Sequence, residues 1–131
     1  MTAKVVDASA IAAVAYAEPE HSAVSAKVDG CALHAPTLIT FELTNVCLKK
    51  ITRHPGDRRR LLEQLHLSKQ IPMQLRDVDA RQVVELARQV GLSSYDASYL
   101  WLASHLSLEL VTLDQKLQRA AVRLGLSSAS P

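Results

Sequence analysis

The stretch KVVDAS, residues 4–9, decides the fold class, because it joins a buried strand directly to an acid and a helix. Val5 and Val6 form a short β-branched run without polar alternation, which is typical of a parallel strand that is buried on both faces. Asp7 ends this run, and the alanine-rich residues after it favour a helix. The chain therefore begins as an α/β protein.

The same alternation of strand and helix continues outward from this stretch. Proline and glycine mark the boundaries: Pro19 ends the first helix, Pro36 ends the second strand, and Gly91 ends a later helix. This alternation implies a parallel sheet covered by helices on both faces. One domain is predicted for residues 1–126, and a disordered tail for residues 127–131. Strands are predicted at residues 4–6, 31–35, 71–75 and 108–113, and helices at 8–17, 21–28, 37–53, 58–69, 78–90, 94–106 and 115–124.

Composition and charge indicate an ordered globular protein. The chain has 131 residues, of which 48% are hydrophobic and 21% are charged. An aromatic content of 4% argues against a base-stacking platform, and a net charge of +2 alone implies little about partners. Cys31 and Cys47 are too few for a disulfide framework and lie in apolar settings, so both are expected to be buried, reduced thiols. Because no apolar stretch reaches membrane-spanning length and the first residues lack signal-peptide anatomy, we expect a cytoplasmic protein without a membrane partner.

Four acidic residues fall at compatible ends of the predicted elements. Asp7 and Asp114 each follow a strand. Glu42 and Asp96 lie near the N-terminal ends of helices. Ligands of such sheets bind beyond the carboxyl ends of the strands, where the following helices begin. Each acid can also be explained as a helix cap or a solvated helix residue, and Ser93 with Asp96 has the spacing of a capping box. Capping alone does not explain why all four acids are placed at the same edge of the predicted sheet, so we expect their side chains to converge there.

Such a cluster of carboxylates indicates a metal site. Clustered carboxylates repel one another, and oxygen ligands select hard ions such as Mg²⁺ or Mn²⁺ over zinc. A pair of these ions can activate water and stabilise the leaving oxygen in phosphodiester hydrolysis. Ser9 and Thr112, each two residues from a strand-end acid, carry hydroxyls that can orient a carboxylate. Asn45 lies three residues after Glu42, on the same helical face.

The ordered set of motifs resembles the PIN-domain family. The motifs are VVDAS at 5–9, FELTN at 41–45, SYDASYL at 94–100 and LVTLD at 110–114. Within that family the chain is similar, over essentially its whole length, to the VapC toxins of type II toxin–antitoxin pairs. The resemblance implies a three-layer α/β/α sandwich around a short, mostly parallel sheet. It also implies that the catalytic and metal-binding residues are Asp7, Glu42, Asp96 and Asp114, with Mg²⁺ or Mn²⁺ as the cofactor.

The activity implied by this resemblance is metal-dependent endoribonuclease cleavage that restrains translation and growth. Such toxins usually form homodimers, and a cognate VapB-type antitoxin usually covers their site. RNA specificity would come mainly from an exposed loop whose bases can splay out. The basic residues expected to contact the RNA or the antitoxin are Lys49, Arg53 and Lys116.

Three alternative functions remain open. A non-catalytic module could keep the fold and bind a partner; loss of an acid would favour it, and none of the four is missing. A receiver-like phosphoacceptor also has aspartates at strand ends, but it needs an acidic pair after the first strand, and Asp7 has no acidic neighbour. A PIN nuclease that acts on other nucleic acid would share both the fold and the acids, although the small size favours the toxin.

Overall fold

The computed structural model describes residues 2–127, so residues 128–131 of the expected tail lie outside the described residues. The described chain contains one parallel sheet with the strand order β3-β2-β1-β4. Val5 on β1 is in register with His34 on β2 and with Leu110 on β4. The strands are β1 (Ala3–Val6), β2 (Ala32–Pro36), β3 (Gln74–Arg76) and β4 (Glu109–Val111).

The helices pack in two groups that cover the sheet. The helix α1 packs against α2, α3 and α4, whereas α6 packs on β1, β2 and β4 and also contacts α5 and α7. This arrangement confirms the predicted α/β class with a parallel central sheet. The helices are α1 (Ala8–Ala15), α2 (His21–Val28), α3 (Ile39–Arg53), α4 (Arg58–Lys69), α5 (Ala80–Val90), α6 (Ser94–Leu106) and α7 (Gln115–Arg123), with a 3₁₀ turn at Pro55–Asp57.

The third strand begins later than the sequence predicts. The prediction was 71–75, but β3 occupies Gln74–Arg76 and exposes all three residues. The backbone N–H of Ile71 donates to the carbonyl of Ser68 at the end of α4. Pro72 has no N–H to donate to a ladder. Pairing with β2 therefore starts only beyond Pro72, on the outer edge of the sheet.

The fourth strand is shorter than the predicted 108–113. It covers Glu109–Val111, because side chains bind the next backbone groups. The N–H of Leu113 donates to Ser9 Oγ, and the N–H of Asp114 donates to Thr112 Oγ1. These contacts turn the chain away from the sheet and toward α7.

The hydrophobic core surrounds the first strand. Val5 and Val6 are completely buried, as are Leu100 on α6 and Ala13 on α1. The short run that identified β1 is thus covered on both faces, as the sequence predicts. Both cysteines are free thiols, and Cys47 is buried as predicted, whereas Cys31 is only half-buried because it lies in the turn before β2. No helix within residues 2–127 is long and apolar enough to cross a membrane.

Candidate metal centre

Asp7 is fixed at the end of β1 by three hydrogen-bond donors. Its Oδ1 accepts from Ser9 Oγ at 2.7 Å and from the N–H of Ala10 at 3.0 Å. Its Oδ2 accepts from the hydroxyl of Thr112. Burial raises the pKa of Asp7 to about 6; the three hydrogen bonds oppose this rise, and the charge of Asp114 adds to it. A carboxylate offers about four lone-pair positions, so about one remains for a cation.

Ser9 and Thr112 join the ends of β1 and β4. Besides donating to Asp7, Ser9 Oγ accepts from the N–H of Leu113 at 2.9 Å. Thr112 Oγ1 accepts from the N–H of Asp114 at 3.0 Å, and the two hydroxyl oxygens lie 3.4 Å apart. Both hydroxyls therefore hold Asp7 in a defined orientation relative to the start of α7.

Asp114 is exposed and caps α7. Its Oδ1 accepts from the N–H of Leu117 at 2.9 Å. Asp7 caps α1 in the same way, through the N–H of Ala10. The same two residues therefore serve both as helix caps and as members of the candidate site, because each lies between a strand and the helix that follows it.

Asp96 lies half-buried in the first turn of α6. Ser93 Oγ accepts from the N–H of Asp96 at 3.1 Å, which is the serine half of the predicted capping box. Burial and the charge of Asp114 raise the pKa of Asp96, while Ser93 and the ammonium group of Lys116 lower it. Because such effects act over short distances, Asp96, Asp114 and Lys116 share one region of the surface.

Glu42 lies in the first turn of α3 and binds a tyrosine from α6. The hydroxyl of Tyr99 donates to Glu42 Oε1. Burial raises the pKa of Glu42; the bond from Tyr99 lowers it, and the charge of Asp96 raises it further. Tyr99 is absent from the residues predicted for the site, although its position three residues after Asp96 places both on one face of α6.

The four acids form a series of neighbouring pairs. Burial is the main cause of the raised pKa of Asp7, Glu42 and Asp96, and a nearby carboxylate adds to it in each case. The charge of Asp114 raises the pKa of Asp7 and of Asp96. In the same way Asp96 acts on Glu42. Within residues 2–127, no three acid, histidine or cysteine side chains lie close enough together to form a ready metal-binding group. The structure thus brings the acids together in pairs along one edge, without gathering them around one point.

The chemistry of this donor set fits a hard divalent cation. All four side chains offer carboxylate oxygens, the ligands that Mg²⁺ and Mn²⁺ prefer. A cation would also offset the burial and the mutual repulsion that raise the pKa of Asp7, Glu42 and Asp96.

The other predicted contacts lie at different distances from the acids. Lys116 lies near Asp96, as its effect on the pKa of that residue shows. Asn45, Lys49 and Arg53 are exposed along α3. With a rise of 1.5 Å per residue, Lys49 lies about 10 Å and Arg53 about 16 Å from Glu42 along the helix axis. Lys116 is therefore the predicted basic contact that borders the acids.

A cavity of about 760 Å³ opens beside Thr112, between α2 and α7. Apolar side chains from α2, the end of β4 and α7 form most of its wall. The charged residues that line it are all basic: Lys27, Arg119 and Arg123. This apolar and basic cavity shares Thr112 with the candidate site and can accept an apolar group that carries negative charge.

Comparison with known proteins identifies the family. The family model of the PIN domain matches residues 4–123, from β1 to the end of α7. Among solved structures, the crystal structure of PAE2754 from Pyrobaculum aerophilum is similar to this chain, with a TM-score of 0.72 and 26% sequence identity. That match covers 95% of this chain and 90% of that chain. No curated protein sequence matches the chain significantly.

Proposed function

The chain belongs to the PIN-domain family, whose members are generally metal-dependent nucleases, and on this premise we propose that it is the endoribonuclease toxin of a VapBC pair. One observation carries the proposal: Asp7, Glu42, Asp96 and Asp114 lie at the starts of four helices, and in three pairs the charge of one acid raises the pKa of the other. In this proposal the four acids are the catalytic, metal-binding residues.

The proposed cofactor is Mg²⁺ or Mn²⁺, held by the four acids. When bound, such an ion activates water at neutral pH and offsets charge on a phosphodiester. Ser9 and Thr112 keep Asp7 oriented through their hydrogen bonds. Asn45 is proposed as a further supporting residue, because its exposed side chain lies one turn beyond Glu42.

The proposed substrate is RNA with an exposed single-stranded loop. Lys116 is exposed and borders the acids, so its ammonium group can neutralise a backbone phosphate at the site. Lys49 and Arg53, farther along α3, can contact the backbone on one side of the cleavage point. These contacts would bind RNA without reading its sequence, because they reach only the phosphates.

The proposed regulator is a VapB-type antitoxin. The cavity beside Thr112 supports this partner, because apolar walls and basic residues suit a peptide that carries both apolar and acidic side chains. A peptide bound there would also lie next to the acids and restrict access to them.

The test is cleavage of total cellular RNA by antitoxin-free protein, with Mg²⁺, with Mn²⁺ and with EDTA. Wild type is expected to give discrete fragments only with a metal ion. Removing a hydrogen-bond partner of a metal ligand typically lowers activity roughly 10–100-fold. Asp96→Asn removes a proposed ligand itself, so its cleavage activity should fall by more than that. Asp79→Asn is the control: it makes the same change of charge at the start of another helix, α5, where Asp79 accepts from the N–H of Gln82 at 3.0 Å and asparagine keeps this cap.

Other results would point to another function. If wild type binds Mn²⁺ and is folded but leaves all RNA intact, a partner-binding module becomes the better account. If the same protein cuts DNA instead, it is a PIN nuclease with a different substrate. If Asp79→Asn loses as much activity as Asp96→Asn, the loss comes from removing a carboxylate charge at a helix start in general and not from the metal centre.

A further inference from the structure

Tyr99 occupies a position in the protein interior that connects two helices. Its side chain belongs to α6 and is 1% exposed. Its hydroxyl donates to Glu42 Oε1 on α3. A buried hydroxyl needs a partner, and the partner of Tyr99 lies in the first turn of a helix that contributes an acid to the candidate metal centre.

The hydrogen bond between Tyr99 and Glu42 has a defined direction. A tyrosine hydroxyl has an ordinary pKa of about 10, so it carries its proton at neutral pH. A protonated phenol that faces a carboxylate can act only as a donor toward it. Tyr99 is therefore the donor and Glu42 Oε1 the acceptor.

The contact also restricts Glu42. A glutamate side chain has three rotatable bonds, and a carboxylate bonded through one oxygen presents the other in a limited range of directions. Glu42 also lies in the first turn of α3, so one helix start and one hydrogen bond together define where its carboxylate lies.

We propose that Tyr99 is the positioning residue of Glu42: it binds Oε1 and leaves Oε2 to serve the metal ion. The proposal rests on the metal-binding role proposed above for Glu42. Tyr99 does not touch the ion or the substrate; it acts through Glu42. Hydrogen-bond partners of metal ligands typically contribute 10–100-fold to metal affinity or activity.

The structure offers a control in Tyr16. This residue directly follows α1 and is 6% exposed, and the groups that affect the pKa of its hydroxyl are Cys47 and Glu18, not the four acids. Its hydroxyl is buried without a hydrogen-bond partner among the described residues, so Tyr16→Phe removes the same atom without breaking a bond to an acid. An effect of removing a buried hydroxyl as such will appear in both variants, whereas an effect of losing the bond to Glu42 will appear only in Tyr99→Phe.

The first experiment measures Mn²⁺ affinity by electron paramagnetic resonance on the isolated protein, without RNA. Tyr99→Phe should raise the Kd for Mn²⁺ about 10-fold, while Tyr16→Phe stays within twofold of wild type. In a double-mutant cycle, Tyr99→Phe should have no further effect once Glu42→Gln is present. For RNA cleavage, Tyr99→Phe should lower kcat and leave KM unchanged.

Three results would overturn the proposal. The first is a folded Tyr99→Phe with wild-type Mn²⁺ affinity. The second is an equal loss of affinity in the Glu42→Gln background, because Tyr99 would then act on packing. The third is wild-type Mn²⁺ affinity in Glu42→Asp, because this shorter side chain cannot contact both Tyr99 and the metal ion. Glu42→Asp also tests the proposal if Tyr99→Phe does not fold. Wild type that binds Mn²⁺ but cuts no RNA contradicts only the proposed ribonuclease activity.

Discussion

At the scale of single residues, the strand-end aspartates perform two roles that the sequence presents as alternatives. Asp7 caps α1 and Asp114 caps α7, and both also lie beside other acids. A cap uses one carboxylate oxygen to bind a backbone N–H. The second oxygen remains available for other partners, as the bond from Thr112 to Asp7 Oδ2 shows.

The raised pKa of Asp7 makes stability depend on pH in the metal-free protein. Its pKa rises from 3.8 to about 6, mainly through burial. The folded protein therefore prefers the neutral carboxyl, so this contribution to stability is complete below about pH 4 and is lost as pH rises through about 6. The shift corresponds to about 3 kcal/mol.

We therefore expect Asp7→Asn to be more stable than wild type at pH 7 in EDTA, by up to about 3 kcal/mol, and to lose this advantage at pH 4. Asparagine keeps the cap without the buried charge. Urea unfolding at both pH values measures the difference. Addition of Mn²⁺ should remove the advantage, because the cation stabilises wild type. A variant that is less stable than wild type at pH 7 in EDTA would contradict this account of Asp7.

At the scale of elements, the starts of the helices place the acids. The helix α1 begins one residue after β1, and α7 begins after the three residues 112–114 that follow β4, so two acids reach the site through very short connections. The other two acids depend on the first turns of α3 and α6. The start of α6 depends in turn on Gly91, which ends α5 in a left-handed conformation with φ of 71°.

Gly91→Ala should destabilise the protein by about 1–2 kcal/mol, because a side chain in the left-handed region meets steric strain from its own backbone. The space around Gly91 is open, so no clash with a neighbour adds to this cost. Mn²⁺ affinity at temperatures where the protein is folded should be unchanged. The measurement is urea unfolding.

The control for this prediction is Gly56→Ala in the 3₁₀ turn. Gly56 also lies in open space, but its φ is not in the left-handed region. The alanine variant should have the stability of wild type within about 0.5 kcal/mol. Equal losses in the two variants would show that the backbone conformation of Gly91 is not the cause.

The elements themselves were largely predictable from the sequence. The predicted bounds of α2, α4 and α6 are those in the structure. The strands β3 and β4 were predicted less well. Their ends depend on Pro72 and on the hydroxyls of Ser9 and Thr112, which bind backbone groups that a strand would otherwise use.

At the scale of the whole molecule, we propose an exposed apolar surface on α3 as the contact of the homodimer that the resemblance implies. Phe41 is 77% exposed and Leu48 is 61% exposed. The two residues are seven positions apart on α3 and share one face of the helix. Apolar side chains that share an exposed face are candidates for contact with another copy of the chain.

Leu48→Asp should shift the protein from dimer to monomer, because an interface would have to bury an unpaired charge. Light scattering after size-exclusion chromatography measures the mass. Leu124→Asp is the control: Leu124 is 46% exposed at the end of α7, far along the chain from α3. A dimer that persists in Leu48→Asp, or that is lost equally in Leu124→Asp, would contradict the assignment of this surface.

The sequence by itself determined the alternation of strands and helices and the acids at their ends. Both depend on local patterns: apolar runs, glycine and proline boundaries, and spacings of two to four residues. Only the tertiary structure decided which side chains meet. Thr112 binds Asp7 across 105 positions, and Tyr99 binds Glu42 across 57. These contacts depend on the order β3-β2-β1-β4 and on α6 packing against the sheet. No local periodicity encodes them, because strand order is set by how all the buried faces pack together.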